Sequence, residues 1–489
     1  MISVFLREQK RYSQDELVKL LQCTEEKAVR ILKRLKEYGV LKAVKASDSQ
    51  KDLTDLVDDD IEIADVEVGE NEYLYVLTFV GVITIDGRVL KCYPKYILSA
   101  SEPKMQLKQV LDVLKRYNAK EQIIRMYNDT HDSSAFNMLA VMLFLLQDYH
   151  DYGAYTNTQD VIEVNGAGDI LWDKTINDTF TLLSNNRPYY PEMLTVRRVN
   201  DDFDYFKRLH ECILTRCTHE LREADLLDLF DILGVDASDE EIDDFGEKDY
   251  ILDRISKELN IQFNTRKQLL LKTLYAYIAN SRALDDLDCF SMFGTNCFNL
   301  VWEKVCATVF DDQLQRLIGA LRLPKPLAPE YRNKRHIKLI DLIEKPKWVG
   351  KANQKEFEKE AADTLIPDTV SIYHSDRGCA FLIFDAKYYN LQLEENKKLK
   401  GQPGIESVTK QYLYQLAYQP FIDAHGFDYT RNCFLLPTEG NDVVVKGVAR
   451  LEMMERLNLE SIQVRLLPAH KVFACYLAKK QFDIAELKL

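Results

Sequence analysis

The sequence lacks the glycine-rich motif with which P-loop proteins bind nucleotide phosphates. No segment reads Gly-x-x-x-x-Gly-Lys-Ser/Thr, because Gly350-Lys351 is followed by Ala352 and has no upstream glycine at the required spacing. The chain is therefore not expected to be its own P-loop motor. Any nucleotide hydrolysis that its function requires must come from a second polypeptide.

Long apolar runs and paired cysteines are also missing. The longest apolar run, Met138 to Leu146, is far below the ~20 residues that a membrane-spanning helix needs. No basic segment followed by an apolar stretch opens the chain, as it would in a secretory signal. The 10 cysteines include no Cys-x-x-Cys pair, which favours free thiols in a reducing compartment. These absences predict a cytoplasmic protein without a membrane segment.

Positive charge is in deficit, with 64 Lys and Arg against 78 Asp and Glu and a net charge of −14. This balance argues against a protein that coats nucleic acid through bulk electrostatics. Two local clusters run against the trend: the stretch from Arg332 to Lys355 and the group Lys397, Lys398 and Lys400. Each cluster could hold phosphates, and each could equally be a solvated surface.

The length of 489 residues exceeds what one hydrophobic core usually serves, so two to four domains are expected. Hydrophobic residues at 46% and aromatic residues at 10% indicate folded cores. We predict an α+β multidomain protein with three regions. These are a winged-helix-like and β-hairpin region over 1–100, a mostly helical region over 101–289 and an α/β domain over 290–489.

The N-terminal pattern predicts a winged helix-turn-helix. Ser13 and Glu16 form a capping box before one apolar-periodic helix, and Thr24 precedes a second helix that ends at Gly39. The second helix has a basic face made of Lys27, Arg30, Lys33, Arg34 and Lys36. Such a face is typical of a DNA-recognition helix and also of a small protein-docking domain, so both interpretations stay open.

Four further segments complete the prediction for the first two regions. An acidic loop or extended edge is expected over Asp48–Glu72, and β structure over Tyr73–Leu98 around an Asp86-Gly87 turn. From Pro103 to about Asp288 the pattern is mostly helical, with a break near residues 157–175. Residues 236–249 are acidic and predict a surface loop with a short helix.

Two apolar runs near the C-terminal end have the composition of a β-hairpin. They cover residues 366–373 and 380–389 and are rich in β-branched and aromatic side chains. The segment Ser375–Gly378 between them is typical of a turn.

The centre of this turn determines which residues face each other. If it lies between Asp376 and Arg377, Asp368 is opposite Asp385, with Cβ atoms roughly 4.5–5.5 Å apart. Lys387 projects from the same face as Asp385. Opposed carboxylates repel, so a bound cation is the simplest reason to tolerate them, and oxygen ligands suit Mg²⁺ better than Zn²⁺.

Lys387 could then orient an attacking water or stabilise the transition state, which is the arrangement of metal-dependent phosphodiester hydrolysis. A purely structural interpretation also exists. Asp385 could cap a strand end, and Asp368 could end a loop after Pro367.

Predicted elements on both sides of the hairpin extend the pattern. Residues 299–310 predict a helix that carries Glu303, and residues 407–417 predict another that carries Lys410, Gln411 and Tyr414. Residues 432–437 predict a buried strand. The order helix, hairpin, helix, strand resembles the core of the PD-(D/E)xK nuclease fold. That resemblance implies a site made of Glu303, Asp368, Asp385, Lys387 and Gln411, with the Ala386 carbonyl as an additional metal ligand.

The chain resembles the LlaJI family of restriction subunits, which are relatives of the McrC nuclease subunit of McrBC-type systems. The resemblance spans roughly residues 75–440. Its segments are 79–85, 93–95, 165–176, 293–295, 301–305, 367–368, 384–389 and 408–414.

This resemblance implies an endonuclease subunit that cleaves foreign DNA together with an AAA+ NTPase partner of the McrB type, which would use GTP or ATP. It implies Mg²⁺ as the cofactor, with Mn²⁺ as a substitute. It also implies that Tyr73–Lys95 and the helical region after it contact the partner. The alternative is a non-catalytic winged-helix DNA-binding regulator with a vestigial nuclease domain. The intact set of two acids and a lysine argues against that alternative.

Overall fold

The computed structural model describes residues 2–45, 73–100, 102–118, 137–200, 204–280, 290–352, 355–457 and 459–489. It contains helices and several separate sheets, so the predicted α+β multidomain class is confirmed. The predicted acidic segment Asp48–Glu72 lies outside the described residues. Among the described helices, none is both long enough and apolar enough to cross a membrane.

The helices are numbered in chain order. They are α1 (Gln14–Leu21), α2 (Glu25–Glu37), α3 (Lys104–Asn118), α4 (Met138–Tyr152), α5 (Trp172–Asp178), α6 (Tyr205–Glu223), α7 (Lys248–Ile261), α8 (Thr265–Ala279), α9 (Phe298–Val309), α10 (Pro329–Arg332), α11 (Ile405–His425), α12 (Glu452–Glu455) and α13 (Ala469–Leu477). Short 3-10 turns lie at Ile242–Phe245, Ile318–Ala320, Leu339–Leu342 and Ile484–Leu487.

The strands are β1 (Ile2–Arg7), β2 (Arg11–Tyr12), β3 (Leu41–Lys45), β4 (Tyr73–Leu77), β5 (Val80–Ile85), β6 (Arg88–Tyr93), β7 (Thr158–Val164), β8 (Asp169–Ile170), β9 (Leu182–Ser184), β10 (Arg187–Tyr189), β11 (Leu194–Asn200), β12 (Phe290–Thr295), β13 (Lys347–Ala352), β14 (Lys355–Glu360), β15 (Thr369–Ser375), β16 (Gly378–Ala386), β17 (Tyr429–Thr438), β18 (Val444–Ala449) and β19 (Ile462–Pro468).

Two compact units divide the chain. One consists of Met1, Thr84–Gly87 and Asp129–Met292, and the other of Ile2–Ile83, Arg88–Asn128 and Phe293–Leu489. The second unit therefore holds residues from both ends of the chain. Most of the predicted region 1–100 shares this unit with almost all of the predicted region 290–489.

The N-terminal helices form where the sequence places them. The Ser13 hydroxyl accepts a hydrogen bond from the Glu16 amide (3.2 Å), as a capping residue should. Thr24 is the N-cap of α2, although its side chain makes no capping hydrogen bond. Strands β2, β4 and β3 pair as a small antiparallel sheet, and β1 runs parallel to β6.

The predicted Asp86-Gly87 turn is confirmed. Asp86 and Gly87 have φ values of 48° and 71°, the left-handed pair that a two-residue hairpin turn requires. Strands β5 and β6 on either side are buried along their whole length. Residues 74–95 therefore expose almost no side-chain surface. The predicted partner contact through Tyr73–Lys95 stays a prediction.

The middle region follows the predicted helical pattern with one longer interruption. The predicted break near 157–175 is too short, because strands β7 to β11 extend from Thr158 to Asn200. The acidic segment 236–249 contains the predicted short helix at Ile242–Phe245, and α7 begins at its end.

The C-terminal part is built on a five-stranded mixed sheet of order β15-β16-β17-β19-β18. The outer pairs are antiparallel, whereas β16, β17 and β19 run parallel to one another. Almost every residue of β16 is buried, as expected for a strand covered on both faces. The predicted helix, hairpin, helix, strand order is present as α9, β15–β16, α11 and β17.

Helix α11 is longer than the pattern predicts. The predicted end is Ala417, but the helix continues through Pro420 to His425. Pro420 cannot donate a main-chain hydrogen bond, which normally weakens or ends a helix. Phe421 and Ile422 are buried in the core beside β15 and β16, and this packing holds the last turns in place.

Gly81 and Gly294 mark a close approach of main chains between β5 and β12. A Cβ atom on Gly81 would lie 2.1 Å from the Phe293 carbonyl oxygen, and one on Gly294 would lie 2.2 Å from that of Val80. We predict that Gly81→Ala lowers the unfolding free energy by roughly 3 kcal/mol, because the strands must separate and the residue has φ +145°. Denaturant unfolding measures this change.

Gly404→Ala is the matched control, because a Cβ atom there meets nothing within 4 Å. Equal unfolding midpoints for the Gly81 and Gly404 variants would contradict the proposed close contact.

Candidate active site

The register of the β15–β16 hairpin is the predicted one. Thr369 pairs with Phe384, and Ser375 pairs with Gly378 at the turn. One step beyond Thr369, Asp368 lies opposite Asp385. The Ala386 amide donates a hydrogen bond to Asp368 Oδ2 (2.9 Å), which ties the start of one strand to the end of the other.

The environment of Asp368 disfavours its charged form. Asp385, opposite it, is 4% exposed. Burial, the adjacent charge of Asp385, a hydrogen bond between the two carboxyls and the charge of Glu303 together raise the pKa of Asp368 to about 9. The pair therefore needs a proton or a cation to be stable at neutral pH.

Lys387 supplies part of the missing positive charge. Its Nζ lies 3.1 Å from Asp385 Oδ1, and its side chain is 22% exposed. Burial alone would lower the pKa of Lys387, but the carboxyl groups of Asp385 and Asp368 more than offset this and hold it above its ordinary value. The ammonium is thus charged at neutral pH, with one side on Asp385 and the other accessible to solvent.

Gln411 of α11 contacts the strand that carries the acids. It is fully buried, and its Nε2 donates to the Ile383 carbonyl (2.9 Å), two residues before Asp385. Its Oε1 has no hydrogen-bond partner among the described residues. In this structure Gln411 positions β16, whereas its predicted contact with Lys387 or substrate stays a prediction.

Tyr414 of α11 lies near the acid pair. Burial, and then the charges of Asp385 and Asp368, raise the pKa of Tyr414 to about 12. Its hydroxyl donates to the Ile366 carbonyl (3.0 Å), two residues before Asp368. The residue was visible in the sequence as a polar position on the face of Gln411, but nothing there assigned it a role.

Glu303 lies near the pair. It is half-buried on α9, and its charge contributes to the raised pKa of Asp368. Within the described residues, however, no three Asp, Glu, His or Cys side chains are grouped closely enough to hold a metal ion. The structure therefore brings together Asp368, Asp385 and Lys387, and Glu303 stays a predicted ligand.

The donor chemistry fits a hard divalent cation. Two opposed carboxylates, one of them with a strongly raised pKa, present negative charge that Lys387 alone does not balance. Carboxylate and carbonyl oxygens are the ligands that Mg²⁺ and Mn²⁺ prefer. Asp368, Asp385 and the Ala386 carbonyl are the residues that would hold such an ion.

The N-terminal segment reaches the residue next to Lys387. The Tyr388 hydroxyl donates to the carboxyl of Glu8, and the Lys95 amide donates to the same carboxyl (3.2 Å). Lys95 Nζ lies 4.5 Å from the centre of the Tyr388 ring. Burial raises the pKa of Glu8. No local pattern in the sequence indicates this contact, since Glu8 and Tyr388 are far apart in the chain.

Comparison with known proteins points to restriction enzymes. The sequence profile of the LlaJI restriction endonuclease family matches residues 79–471. The type II restriction enzyme BsuMI component YdjA of Bacillus subtilis (strain 168) is 25% identical over 418 residues, which cover 84% of this chain and 83% of that protein.

Two solved structures from Thermococcus gammatolerans show a weaker similarity. A chain of the half-complex of McrB AAA+ hexamers with bound McrC aligns with 97% of this chain and 99% of its own length, at 12% identity and a TM-score of 0.36. A chain of the McrBC complex aligns with 62% of this chain and 85% of its own length, at 11% identity and a TM-score of 0.27. TM-scores this low do not establish a shared fold.

The raised pKa of Asp368 predicts a pH-dependent stability in the absence of divalent cations. The folded state keeps a proton that the unfolded chain releases near its ordinary value of 3.8, so stability is lost as pH rises from about 4 to about 9. The expected slope is about 1.4 kcal/mol per pH unit for one proton. Asp368→Asn, which imitates the protonated acid, should flatten the dependence of Tm on pH in EDTA.

Asp376→Asn in the exposed turn of the same hairpin should leave that dependence unchanged. Parallel curves for wild type and Asp368→Asn would show that the acid pair is not electrostatically strained.

Proposed function

Since the chain belongs to the LlaJI restriction endonuclease family, we propose that it hydrolyses phosphodiester bonds of DNA at the site of Asp368, Asp385 and Lys387. The observation that carries this proposal is the hairpin register, which opposes two acids and places a lysine beside one of them. The α9, β15–β16, α11, β17 order supports a PD-(D/E)xK assignment of the C-terminal part.

We propose Mg²⁺ as the cofactor, replaceable by Mn²⁺, held by Asp368, Asp385, the Ala386 carbonyl and Glu303. When bound, the ion would neutralise charge on the scissile phosphate and lower the pKa of a water molecule. Asp385 orients the Lys387 ammonium through their ion pair. The exposed side of that ammonium can donate hydrogen bonds to a water or to a phosphate oxygen.

We propose that an AAA+ NTPase of the McrB type, using GTP or ATP, works with this chain. The missing P-loop supports a separate motor, and the relative YdjA is described as one component of an enzyme. Exposed apolar side chains in the middle region support a surface for a protein partner there. Between Val164 and Tyr189 the chain exposes many large apolar side chains, including Trp172, Phe180 and Leu183.

The winged-helix-like segment α1–α2 with β3 and β4 provides a second contact surface. Arg30 and Lys33 on α2 are exposed, whereas Ala28, Ile31, Leu32 and Leu35 are buried beneath them. This division supports a contact through the basic face, with DNA or with the partner.

Substitutions in the acid pair and in the lysine should separate metal binding from catalysis. We predict that Asp385→Ala abolishes both Mn²⁺ binding and cleavage of duplex DNA. Lys387→Ala should retain Mn²⁺ binding but cleave about 10²–10³-fold more slowly. The reason is that the negative charge that develops on the phosphate in the transition state would lose the ammonium that stabilises it. Calorimetric Mn²⁺ titration and gel assays with Mg²⁺ and the partner measure the two properties.

Asp376→Ala is the control, since it removes an exposed aspartate from the turn of the same hairpin. Cleavage at the wild-type rate by Lys387→Ala would contradict the catalytic role proposed for Lys387.

The partner surface has its own test. Alone, the chain should show little specific cleavage, and activity should appear on addition of partner, nucleotide and Mg²⁺. Leu183→Asp should reduce this stimulation at least ~10-fold, because a charge would be buried in the interface without a counter-charge. Met453→Asp is the control, since Met453 is 64% exposed, against 77% for Leu183, and lies on α12, outside the helical middle region.

Both variants should bind Mn²⁺ as wild type does. Full stimulation of Leu183→Asp would place the partner elsewhere, and site-specific cleavage by the lone chain would refute the two-subunit arrangement.

A further inference from the structure

A basic cleft is lined by residues between Ile318 and Arg335, which lie between α9 and the β15–β16 hairpin in the sequence. It has a volume of about 850 Å³, and its cationic lining residues are Arg322, Lys325, Arg332 and Arg335. Among the described residues, no acidic side chain lines it. All four cations are exposed.

The cations of the cleft are not neutralised by the part of the chain that the structure describes. Among the residues that the structure describes, none of the four forms an ion pair. The other half of the predicted basic stretch behaves differently, because Lys347 pairs with Glu358 (3.1 Å) and Lys351 with Glu356 (3.2 Å) across β13 and β14. The structure thus divides the basic stretch into a neutralised hairpin and an unneutralised cleft.

The framework of the cleft is fixed by the main chain. The Ile318 amide donates to the Ile337 carbonyl (2.9 Å), and the Gly319 amide donates to the Arg335 carbonyl (3.1 Å). A Cβ atom on Gly319 would lie 2.9 Å from the same Arg335 oxygen, so glycine permits this close approach. The two arms that carry the cations are therefore held at a defined separation.

The floor of the cleft is part of the core around the catalytic hairpin. Leu321, Leu323 and Leu327 pack against the buried cluster that contains Phe381 and Ile383 of β16. The ring of His374, at the far end of β15, contacts the Arg322 carbonyl through Nε2 (2.9 Å). The cleft is thus anchored to the strand that begins beside Asp368.

The length of β15 gives the separation between Asp368 and His374, whose ring contacts the Arg322 carbonyl of the cleft. His374 follows Asp368 by six positions on an extended strand, which amounts to roughly 20 Å at about 3.3 Å per residue. Phosphates on one strand of a DNA duplex are spaced by about 3.4 Å along the axis. A DNA duplex that is bound at the acid pair can therefore reach the cleft with the phosphates of its backbone.

We propose that this cleft binds the phosphodiester backbone of DNA, and that it holds the substrate duplex at a second point roughly 20 Å from the acid pair. Arginine guanidinium groups bind phosphate oxygens in a bidentate manner, which three of the four cations can do. The net charge of −14 does not prevent this, since charges beyond about 8 Å are screened at physiological salt. The link to the acid pair rests on the proposed nuclease function, whereas binding by the cleft does not.

The test compares two double variants of the full-length chain. Arg322→Ala/Arg335→Ala removes two cations of the cleft, and Lys347→Ala/Lys351→Ala removes the same charge from the neighbouring ion-paired hairpin. Fluorescence anisotropy with a labelled DNA duplex, in EDTA and at about 50 to 200 mM salt, gives Kd and its salt dependence. Thermal unfolding of each variant confirms that it is folded.

We expect the cleft variant to bind at least ~10-fold more weakly, with a salt slope smaller by about 2, and the hairpin variant to bind like wild type. Equal affinity of the cleft variant and wild type, an equal loss in both variants, or no binding by wild type at the lowest salt would each overturn the proposal. Loss of ATP or GTP binding with unchanged DNA binding would assign the cleft to a free nucleotide and also overturn it. Because no arm requires cleavage, an inactive wild-type enzyme would refute the nuclease proposal without affecting this result.

Discussion

The repulsion between the buried carboxyl group of Asp385 and the half-buried one of Asp368 is the constraint on which the C-terminal site depends. Strand β16 is covered on both faces, so Asp385 cannot turn to water, and the hairpin register holds Asp368 opposite it. The Ala386 amide and the Lys387 ammonium offset part of this repulsion. The rest remains, as the raised pKa of Asp368 shows. In the proposed function, an ion bound to both carboxylates would remove the remaining repulsion.

Elements distant in the chain hold this arrangement in place. Gln411 fixes the Ile383 carbonyl, and Tyr414 fixes the Ile366 carbonyl, so α11 positions both strands of the hairpin close to their acids. The indole of Trp302 on α9 donates to the Leu435 carbonyl (3.0 Å), and the Lys387 amide donates to the same carbonyl (3.0 Å). The end of β16 is thus fixed by its neighbours on the sheet and by a helix packed on it.

The hairpin was predictable from sequence because its information is local. The composition predicts the two strands, and the Ser375–Gly378 turn predicts their register. The register in turn places Asp368 opposite Asp385. Contacts between distant segments were not predictable in this way. The bond between Glu8 and Tyr388 and the burial of residues 74–95 depend on how segments from the two ends of the chain pack together. Helix α11 passes Pro420 for a similar reason, since tertiary packing outweighs one lost hydrogen bond.

The central claim is that Asp368 and Asp385 together bind a divalent cation. Anomalous scattering from a crystal of the full-length chain with Mn²⁺ tests it most directly, because the signal locates the ion without reference to activity. The account predicts one strong peak between the two carboxyl groups, within coordination distance of both and close to the Ala386 carbonyl. A crystal that contains Mn²⁺ at other sites, with no peak between Asp368 and Asp385, would contradict it.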